Sequence, residues 1–320
     1  MRWKKFSLKI EFTTPYLTPL QADTIFGEFC WHYRFLYGED ELKKLLRDET
    51  SNPAVVFSDA FPEGLIPFPK LPLKLSFGSI DEYSRVKRIK KQRYLKISTL
   101  RELLPYLPSF LSSFKESGKI LSILLKELEE KEERSSEQLT TVHVSVNRIL
   151  GTAHQGRLFH LKETFTRKGY RFVLYGIYDP DRLSISRIKE IFRFMGLDGF
   201  GAKRSAGKGK FCVVGEVRED WGALEGVERG KRWFISLSTG LPQRCEVKGA
   251  YAEFFTKFPK HGREVARPEI FKNPLILSRP GSLFEVCETE KEKPFYGSLV
   301  EISALKGHVH SRLIVPLFVG

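Results

Sequence analysis

The sequence lacks the features of a membrane protein and of a disulfide-bonded protein. It has no apolar run of the roughly 18 residues that a membrane-spanning helix requires. Its N-terminus lacks the apolar block and the cleavage site of a signal peptide. The four cysteines lie far apart with no CxxC pair, which argues against a thiolate zinc site and a disulfide framework. We therefore expect a cytoplasmic protein with reduced thiols.

The sequence also has fewer acidic than basic residues. The 320 residues include 53 Lys and Arg but only 39 Asp and Glu, which gives a net charge of +14. This surplus says little about the fold but favours a polyanionic partner, with RNA or DNA as the first candidate. No basic amphipathic helix typical of membrane surfaces is evident.

Apolar periodicity predicts an α+β protein. Residues 4–13 and 170–179 alternate like strands, a helix follows each of them, and a further strand follows the second helix. This order fits a ferredoxin-like βαββαβ unit with long insertions. We predict one such domain over 1–217 and a second, degenerate one over 218–320.

The first helix is predicted to run from Asp23 or Thr24 to Tyr37, where Gly38 stops it. An acidic residue this early in the chain could be mistaken for a catalytic or metal-binding group. At the start of a helix, however, a carboxylate accepts backbone N–H bonds and favours the helix dipole. We therefore interpret Asp23 as a cap or a local structural residue.

A β-hairpin is predicted before residue 170. In 141–147, Val142, Val144 and Val146 point to one face, which is typical of a strand. The segment GTAHQGR (151–157) has the composition of a turn, and LFHLKETF (158–165) is predicted to return as the second strand.

The stretch GLDGFGAKRSAGKGKF (196–211) combines five glycines with four basic residues. It departs from a Walker A loop in spacing, and it leads from a helix into a strand, so the helix end beside it carries the wrong partial charge for a phosphate. The dinucleotide pattern also fails, because Arg204 stands at the third glycine position.

What remains is a flexible backbone with cations, suited to a nucleic-acid strand; the other interpretation is a mobile, basic surface loop. If all four cations contacted single-stranded phosphates, the loop would contribute a salt slope of about −2.8. The candidate RNA-binding residues of the loop are Gly199, Gly201, Lys203, Arg204, Ser205, Gly207, Lys208, Gly209 and Lys210.

Several motifs in order along the chain resemble one family. They are TPLQADTIFGEFCW near the start, SDAFPEG at 58–64, VNRILGTAHQGRLF at 146–159, GFGAKRSAGKGKF at 199–211, and LILSRPGSLFEV and LKGHVHSRLIVPL near the end. Together they are similar to the fourth Csm subunit of type III-A CRISPR effector complexes, a RAMP protein.

The resemblance implies two RRM-like, ferredoxin-like domains and a β-hairpin thumb over the guide RNA. It implies a non-catalytic subunit without cofactor or metal that grips the 5′ handle of the CRISPR RNA (crRNA). The implied protein partners are the large polymerase-like subunit and the adjacent backbone RAMP subunit, and target RNA is met indirectly. Besides the loop, the expected RNA contacts are Thr18, Gln21, His143, Asn147 and Arg148.

An endoribonuclease that processes CRISPR repeat RNA without metal is the rival function. Such an enzyme places a general-base histidine near the start of its first helix, whereas His32 lies deep in an apolar helix and is interpreted as a core histidine. His143, His154 and His160 are interpreted as RNA contacts, because spacing fixes no partner acid or lysine. A third hypothesis is a basic protein that binds nucleic acid without specificity.

The basic run 85–96 and the pair His308 and His310 each allow a structural as well as a functional interpretation. The run 85–96 holds seven Lys or Arg, which suits a solvated helix as well as an accessory RNA or protein contact. Tyr94 within it could stack on a base. His308 and His310 form an HxH pair, but a zinc site needs further ligands at suitable spacing.

Overall fold

The computed structural model describes residues 3–46, 52–73, 80–129, 136–147, 152–262, 271–290, 293–303 and 309–320. They form an α+β fold with antiparallel sheets, in agreement with the predicted class. The N-terminal part contains β1 (Lys4–Phe12), α1 (Ala22–Tyr37), α2 (Glu39–Leu46), β2 (Val55–Pro62), β3 (Leu65–Pro67), α3 (Ile80–Lys91), β4 (Tyr94–Lys96), α4 (Ile97–Leu103), α5 (Leu107–Ser113), α6 (Ser117–Glu129), β5 (Ser136–Asn147), β6 (Thr152–Thr166), β7 (Arg171–Tyr178), α7 (Ile185–Asp198) and β8 (Phe211–Arg218). The C-terminal part contains β9 (Trp233–Ser236), β10 (Val247–Tyr251), β11 (Phe254–Lys257), β12 (Leu275–Ser278), β13 (Leu283–Val286), β14 (Leu299–Glu301), β15 (Val309–Ser311) and β16 (Pro316–Phe318).

The first sheet has the order β2–β7–β1–β8, with every neighbouring pair antiparallel. The alternation predicted for β1 is confirmed, because Phe6, Leu8, Ile10 and Phe12 are all buried. The succession β1–α1–β2 and then β7–α7–β8 is the order predicted for a βαββαβ unit.

Aromatic rings fix the two helices α1 and α7 on this sheet. The ring centroid of Phe57 in β2 lies 6.1 Å from that of Phe6 in β1, 5.1 Å from that of Phe29 in α1 and 5.7 Å from that of Phe192 in α7. All four rings are buried, and such pairs stabilise a core beyond the area they bury. The loop that leaves α7 is therefore held at a fixed place beside the sheet.

A helical insertion separates β2 from the hairpin, and it carries the basic run. Val86 and Ile89 of α3 are buried, whereas the cations around them are exposed. Tyr94 is partly buried against the hydrophobic core. The run thus has the arrangement of a solvated amphipathic helix.

Strands β5 and β6, called here the thumb hairpin, pair antiparallel as predicted. The prediction of a turn at 151–157 is wrong, because β6 begins at Thr152 and Ala153 pairs with Val146. From Thr152 onward the backbone of this segment therefore continues the two-stranded ribbon, although its composition is typical of a turn.

The C-terminal part is built from strands. Its sheet has the order β10–β13–β9–β16, and β11–β12 and β14–β15 form two-stranded ribbons. Among the residues described from 233 onward, no α-helix occurs. Leu237 of this part belongs to the same hydrophobic core as Phe57 of the N-terminal part, so the apolar interior continues from one part to the other.

Asp59 in β2 joins the two parts at the start of α1. Its Oδ1 accepts hydrogen bonds from the N–H of Ala22 at 2.9 Å and from the N–H of Thr239 at 2.6 Å, and the Thr239 hydroxyl donates to Oδ2 at 2.8 Å. Burial raises the pKa of Asp59 to about 6, since these hydrogen bonds only partly offset the loss of solvation. The helix cap is therefore supplied by a residue distant in sequence.

The prediction that Asp23 or Thr24 caps α1 is wrong. The helix begins at Ala22, and the N-cap residue Gln21 makes no side-chain cap bond. The buried carboxylate of Asp23 lies 2.6 Å from Nζ of Lys257 in β11 and 2.9 Å from Nε2 of His310 in β15. Burial by itself raises the pKa of Asp23, but the bond to His310 and the charge of Lys257 outweigh it and hold this pKa below its usual value.

Within the ranges given above, no helix is both long enough and apolar enough to cross a membrane. The longest described α-helix, α1, has 16 residues and carries charged side chains along its length, including Asp23, Glu28 and Arg34.

Candidate nucleic-acid interface

The glycine loop (199–210) runs from the C-terminal end of α7 to the start of β8, as the sequence predicted. Its backbone takes left-handed φ values at Gly199 (95°), Gly201 (78°), Lys203 (63°), Gly207 (74°) and Gly209 (74°). Four of these positions are glycine, which adopts such φ values without steric cost. The repeated left-handed turns fold the loop back on itself.

Hydrogen bonds attach the loop to the segment that follows β1. The N–H of Gly209 donates to the carbonyl of Pro15 at 2.8 Å, and the N–H of Lys210 donates to the Thr14 hydroxyl at 2.9 Å. The N–H of Ala202 donates to Oγ1 of Thr18 at 2.9 Å. Thr18, predicted as an RNA contact, therefore lies at the loop. Its hydroxyl oxygen accepts a hydrogen bond from one of the loop amides.

Gly201 is required by this close approach. A Cβ atom at 201 would collide with the Oγ1 and Cβ atoms of Thr18, and the left-handed φ is itself unfavourable for other residues. At Gly207, by contrast, a Cβ would have no neighbour within 4 Å. Glycine is thus required at 201 by both packing and backbone conformation, whereas at 207 it is required by backbone conformation alone.

Arg204 is held by carboxylates of the two helices. Its Nη1 lies 2.7 Å from Oε2 of Glu28 in α1 and 3.5 Å from Oδ2 of Asp198 at the end of α7. The same Asp198 oxygen lies 3.2 Å from Nε2 of His32, which is buried and whose Nδ1 lies 2.6 Å from the Glu28 carbonyl oxygen. His32 is therefore a bonded core histidine, as predicted, and Arg204 fastens the loop to the helices.

Lys208 fastens the other side of the loop to the thumb hairpin. Its Nζ lies 2.8 Å from Oε1 of Glu163, a buried residue of β6. Nε2 of His143 lies 3.9 Å from the same oxygen and 2.9 Å from the Thr141 hydroxyl. The predicted residues Lys208 and His143 are thus brought together around a carboxylate.

Phe159 completes a ring surface between hairpin and loop. Its ring is stacked on that of His143, with centroids 5.6 Å apart and planes at 19°, and Nζ of Lys203 lies 4.8 Å from its centroid. His143 and Phe159 are direct cross-strand partners. Sequence reasoning missed Phe159, because only the strand register shows that it shares a face with His143.

The loop also carries exposed side chains and backbone amides that have no acceptor among the described residues. Lys203, Ser205 and Lys210 are exposed. Among the described residues, the N–H groups of four loop positions find no protein acceptor; these are Gly201, Lys203, Arg204 and Ser205. These amides and Lys210 can bind an anion without breaking a contact among the described residues, whereas an anion at Lys203 would share its ammonium group with the Phe159 ring.

Other predicted residues are placed differently. The Gln21 side-chain oxygen accepts a hydrogen bond from Lys257 at 2.9 Å, so this side chain is held by β11 of the C-terminal part. Asn147 ends β5, and its side chain, like that of His154, is outside the described residues, as is Arg148 entirely. His160 is exposed on the hairpin.

Of the two histidines in the HxH pair, the structure describes only His310. His308 lies outside the described residues. His310 is buried against Asp23 at 2.9 Å, and burial lowers its pKa. Its ring is thereby committed to the contact between α1 and β15.

Fold and loop together define an antiparallel α+β protein with a basic, glycine-rich loop beside its N-terminal sheet. The model of the RAMP superfamily matches residues 9–212, well over half of the chain. The chain therefore belongs to the RAMP superfamily. No curated protein matches the sequence.

Solved structures with a similar fold include two complexes of Csm proteins. A crystal structure of a Csm1-Csm4 cassette in complex with pppApA has a TM-score of 0.60 at 18% identity, covering 99% of this chain and 98% of that chain. A crystal structure of a Csm3-Csm4 subcomplex of the type III-A CRISPR-Cas interference complex has a TM-score of 0.61 at 15% identity, covering 98% and 99%. Membership in the RAMP superfamily confirms the superfamily to which the resemblance pointed, and these neighbours share the fold of this chain.

Proposed function

We propose that this RAMP protein is a non-catalytic, RNA-binding subunit of a cytoplasmic type III-A CRISPR complex. It holds the 5′ handle of the crRNA with the glycine loop and the base of the thumb hairpin. It docks on the large polymerase-like subunit on one side and on the adjacent backbone RAMP subunit on the other. Its two parts correspond to RRM-like, ferredoxin-like domains over 1–217 and 218–320, the second of them degenerate.

The observation that carries this proposal is the joint surface formed by loop and hairpin. It offers exposed lysines (Lys203 and Lys210), amides without a protein acceptor, and the ring of Phe159 within one region. Single-stranded RNA presents both phosphates and unstacked bases, and proteins bind it by combining cations with aromatic platforms. A nucleoside triphosphate site would need a helix N-terminus, whereas α7 offers its C-terminal end.

The four loop cations then divide into two pairs. Arg204 and Lys208 form ion pairs with carboxylates, and only 20% and 21% of their side-chain surfaces are exposed. Their main role is therefore to position the loop, and they contribute less to RNA binding. Lys203 and Lys210 are exposed and supply the main phosphate contacts. Two such contacts give a salt slope of about −1.4 in place of −2.8.

The second candidate function, a metal-independent endoribonuclease, is favoured by one observation. His143 lies within 4 Å of a carboxylate and shares it with Lys208, and a histidine beside a lysine can perform acid–base chemistry on RNA. We favour binding because the Glu163 carboxylate is buried and already paired with Lys208.

Purified protein incubated with three RNAs tests the proposal. The probes are a crRNA with its 5′ handle, the same guide with a scrambled handle, and an intact repeat RNA, all without divalent metal. We expect tight binding of the first, weaker binding of the second and no cleavage of the third.

Site-specific cleavage that His143→Ala abolishes would instead establish the ribonuclease. Equal affinity for native and scrambled handles would identify a non-specific nucleic-acid-binding protein. Assembly is tested separately, by co-expression with the large subunit and the backbone RAMP subunit of the same complex.

A further inference from the structure

Positive charge is concentrated in the segment that runs from α3 to β4. Residues 83–96 include seven Lys or Arg and no Asp or Glu, so these 14 residues carry half of the net charge of +14. The segment belongs neither to the glycine loop nor to the thumb hairpin. Half of the charge surplus therefore lies outside the elements that the function proposed above uses.

The cations of α3 lack the ion pairs that neutralise cations on the neighbouring helix in sequence. On α2, Nζ of Lys43 lies 2.8 Å from Oε1 of Glu39, and Nζ of Lys44 lies 2.7 Å from Oε1 of Glu41. Five exposed cations of α3 have no carboxylate partner among the described residues; these are Arg85, Lys87, Arg88, Lys90 and Lys91. A phosphate group can bind them without displacing a carboxylate from the described part of the chain.

Two buried apolar residues hold α3 on the protein. Val86 and Ile89 are both buried, and Ile89 belongs to the same hydrophobic core as Phe57. Because the helix is already fixed by these contacts, little backbone ordering entropy is lost when its exposed face binds a partner.

The buried residues also divide the exposed cations into two rows. An α-helix turns by about 100° per residue. In each of the triplets 85–87 and 88–90, the first and the last residue are cations that lie on opposite sides of the buried one. One row is therefore Arg85 with Arg88, and the other is Lys87 with Lys90.

We propose that α3 binds the two phosphate edges of the major groove of double-stranded DNA. Two rows of cations match the two lines of phosphates of a duplex, whereas a single strand offers one line. An α-helix with its side chains is about 10–12 Å across, and the major groove of B-DNA, about 12 Å wide, admits a helix. The major groove of an RNA duplex is deep and narrow, so the same helix does not fit it.

The contact is made to phosphates and is therefore independent of the base sequence. It lies outside the loop and hairpin that are proposed to hold the crRNA handle, and it does not depend on that function.

The exposed face of α3 is poorly suited to a protein or to a single strand. Every exposed residue of 84–91 is Ser, Lys or Arg, whereas the centre of a protein interface is apolar and depleted in Lys. A single strand is held by stacking of its bases on aromatic rings. From residue 83 to residue 93 the one aromatic ring is that of Tyr83, and Nζ of Lys87 lies 6.0 Å from its centroid.

The test measures binding of a fluorescent DNA duplex of arbitrary sequence to the full chain over a range of salt concentrations. Arg85→Ala/Arg88→Ala removes one row of cations, and Lys87→Ala/Lys90→Ala removes the other. All four side chains are exposed, and thermal unfolding establishes that each variant is folded.

Lys43→Ala/Lys44→Ala on α2 is the matched control, because it makes the same change in net charge at cations that are paired with carboxylates. A parallel series contains a saturating excess of unlabelled, handle-bearing crRNA, which occupies the glycine loop. An RNA duplex of the same sequence is the second probe.

We expect the dependence of log K on log salt concentration for the DNA duplex to become shallower by about 1.8 in each row variant, since each phosphate contact to B-DNA contributes about 0.9. The control should keep the wild-type slope, excess crRNA should leave duplex binding intact, and the RNA duplex should bind more weakly.

Unchanged slopes in both row variants would overturn the proposal, and so would an effect of one row alone, which would indicate a single strand. Displacement of the duplex by crRNA would place it on the glycine loop, and equal affinity for the RNA duplex would reduce the site to unspecific attraction of polyanions; either result would also overturn it. A chain that binds the DNA duplex through α3 but shows no handle preference would contradict the RNA-binding function and leave this site standing.

Discussion

The Nζ atom of Lys208 lies 2.8 Å from Oε1 of Glu163, and this ion pair joins the glycine loop to the thumb hairpin. Burial by itself raises the pKa of Glu163, but the bond and charge of Lys208, together with Thr141 and His143, outweigh it and lower this pKa. The carboxylate is therefore ionised at neutral pH. Loop and hairpin are accordingly joined into one surface, which carries the groups proposed to contact RNA.

Glu163→Gln keeps the shape of this side chain but removes its charge. We expect the free energy of unfolding to fall by about 1–2 kcal/mol at neutral pH, and amide exchange to quicken in 203–208. Because the folded state lowers the pKa of Glu163, its contribution is present above the usual carboxyl pKa and is lost as the pH falls through the folded value. Urea unfolding of both proteins should therefore show the difference shrinking in acid; an unchanged exchange rate in the loop would contradict the coupling.

Lys203→Ala/Lys210→Ala removes the two exposed cations of the loop. We expect the dependence of log K on log salt concentration for crRNA to become shallower by about 1.4, since each contact to single-stranded RNA contributes about 0.7. Lys90→Ala/Lys91→Ala on α3 makes the same change in net charge and should leave the slope unaltered. Filter binding over a range of salt concentrations measures both slopes, and equal effects would indicate non-specific attraction.

Phe159→Leu removes the ring beside Lys203 while keeping an apolar side chain in β6. Loss of one stacked base should weaken crRNA binding by about 1–3 kcal/mol. Leu158→Ala, on the opposite face of the same strand, is the control and should retain wild-type affinity. Fluorescence anisotropy with handle-bearing RNA distinguishes the two; similar losses would mean that the whole hairpin, rather than this ring, sets the affinity.

Gly201→Ala and Gly207→Ala separate packing from backbone conformation in the loop. Both positions have left-handed φ values, so each alanine should cost about 1 kcal/mol of stability for conformation alone. Only the alanine at 201 also collides with Thr18, so we expect it to lose clearly more. Denaturant titration compares them, and equal losses would show that the contact with Thr18 relaxes freely.

Asp59→Asn tests the buried carboxylate between the two parts. The folded pKa of about 6 exceeds the unfolded value, so this group's contribution is fully present below the unfolded pKa and is lost as the pH rises through about 6. The wild-type protein should therefore lose stability between mildly acidic and neutral pH relative to Asp59→Asn. Unfolding at both pH values gives the difference; a parallel response of the two proteins would rule out this titration.

Local patterns predicted the elements well, and distant contacts explain where prediction failed. Alternation located β1, and Gly38 marked the end of α1, because both signals lie within a few residues. The cap of α1 comes from Asp59, which no local rule for helix starts could indicate. The glycine loop was found from composition, but its ion pairs with Glu28 and Glu163 depend on tertiary packing.

The bonds of Asp59 to Thr239 also constrain how the nascent chain matures. On the ribosome, β2 is synthesised long before Thr239, and Asp23 long before His310, so both carboxylates lack their partners until the C-terminal part has been synthesised. Until those strands emerge, the start of α1 lacks a completed anchor. The start of α1 and the edge of β2 therefore reach their final arrangement only after the C-terminal part that carries these partners has been synthesised.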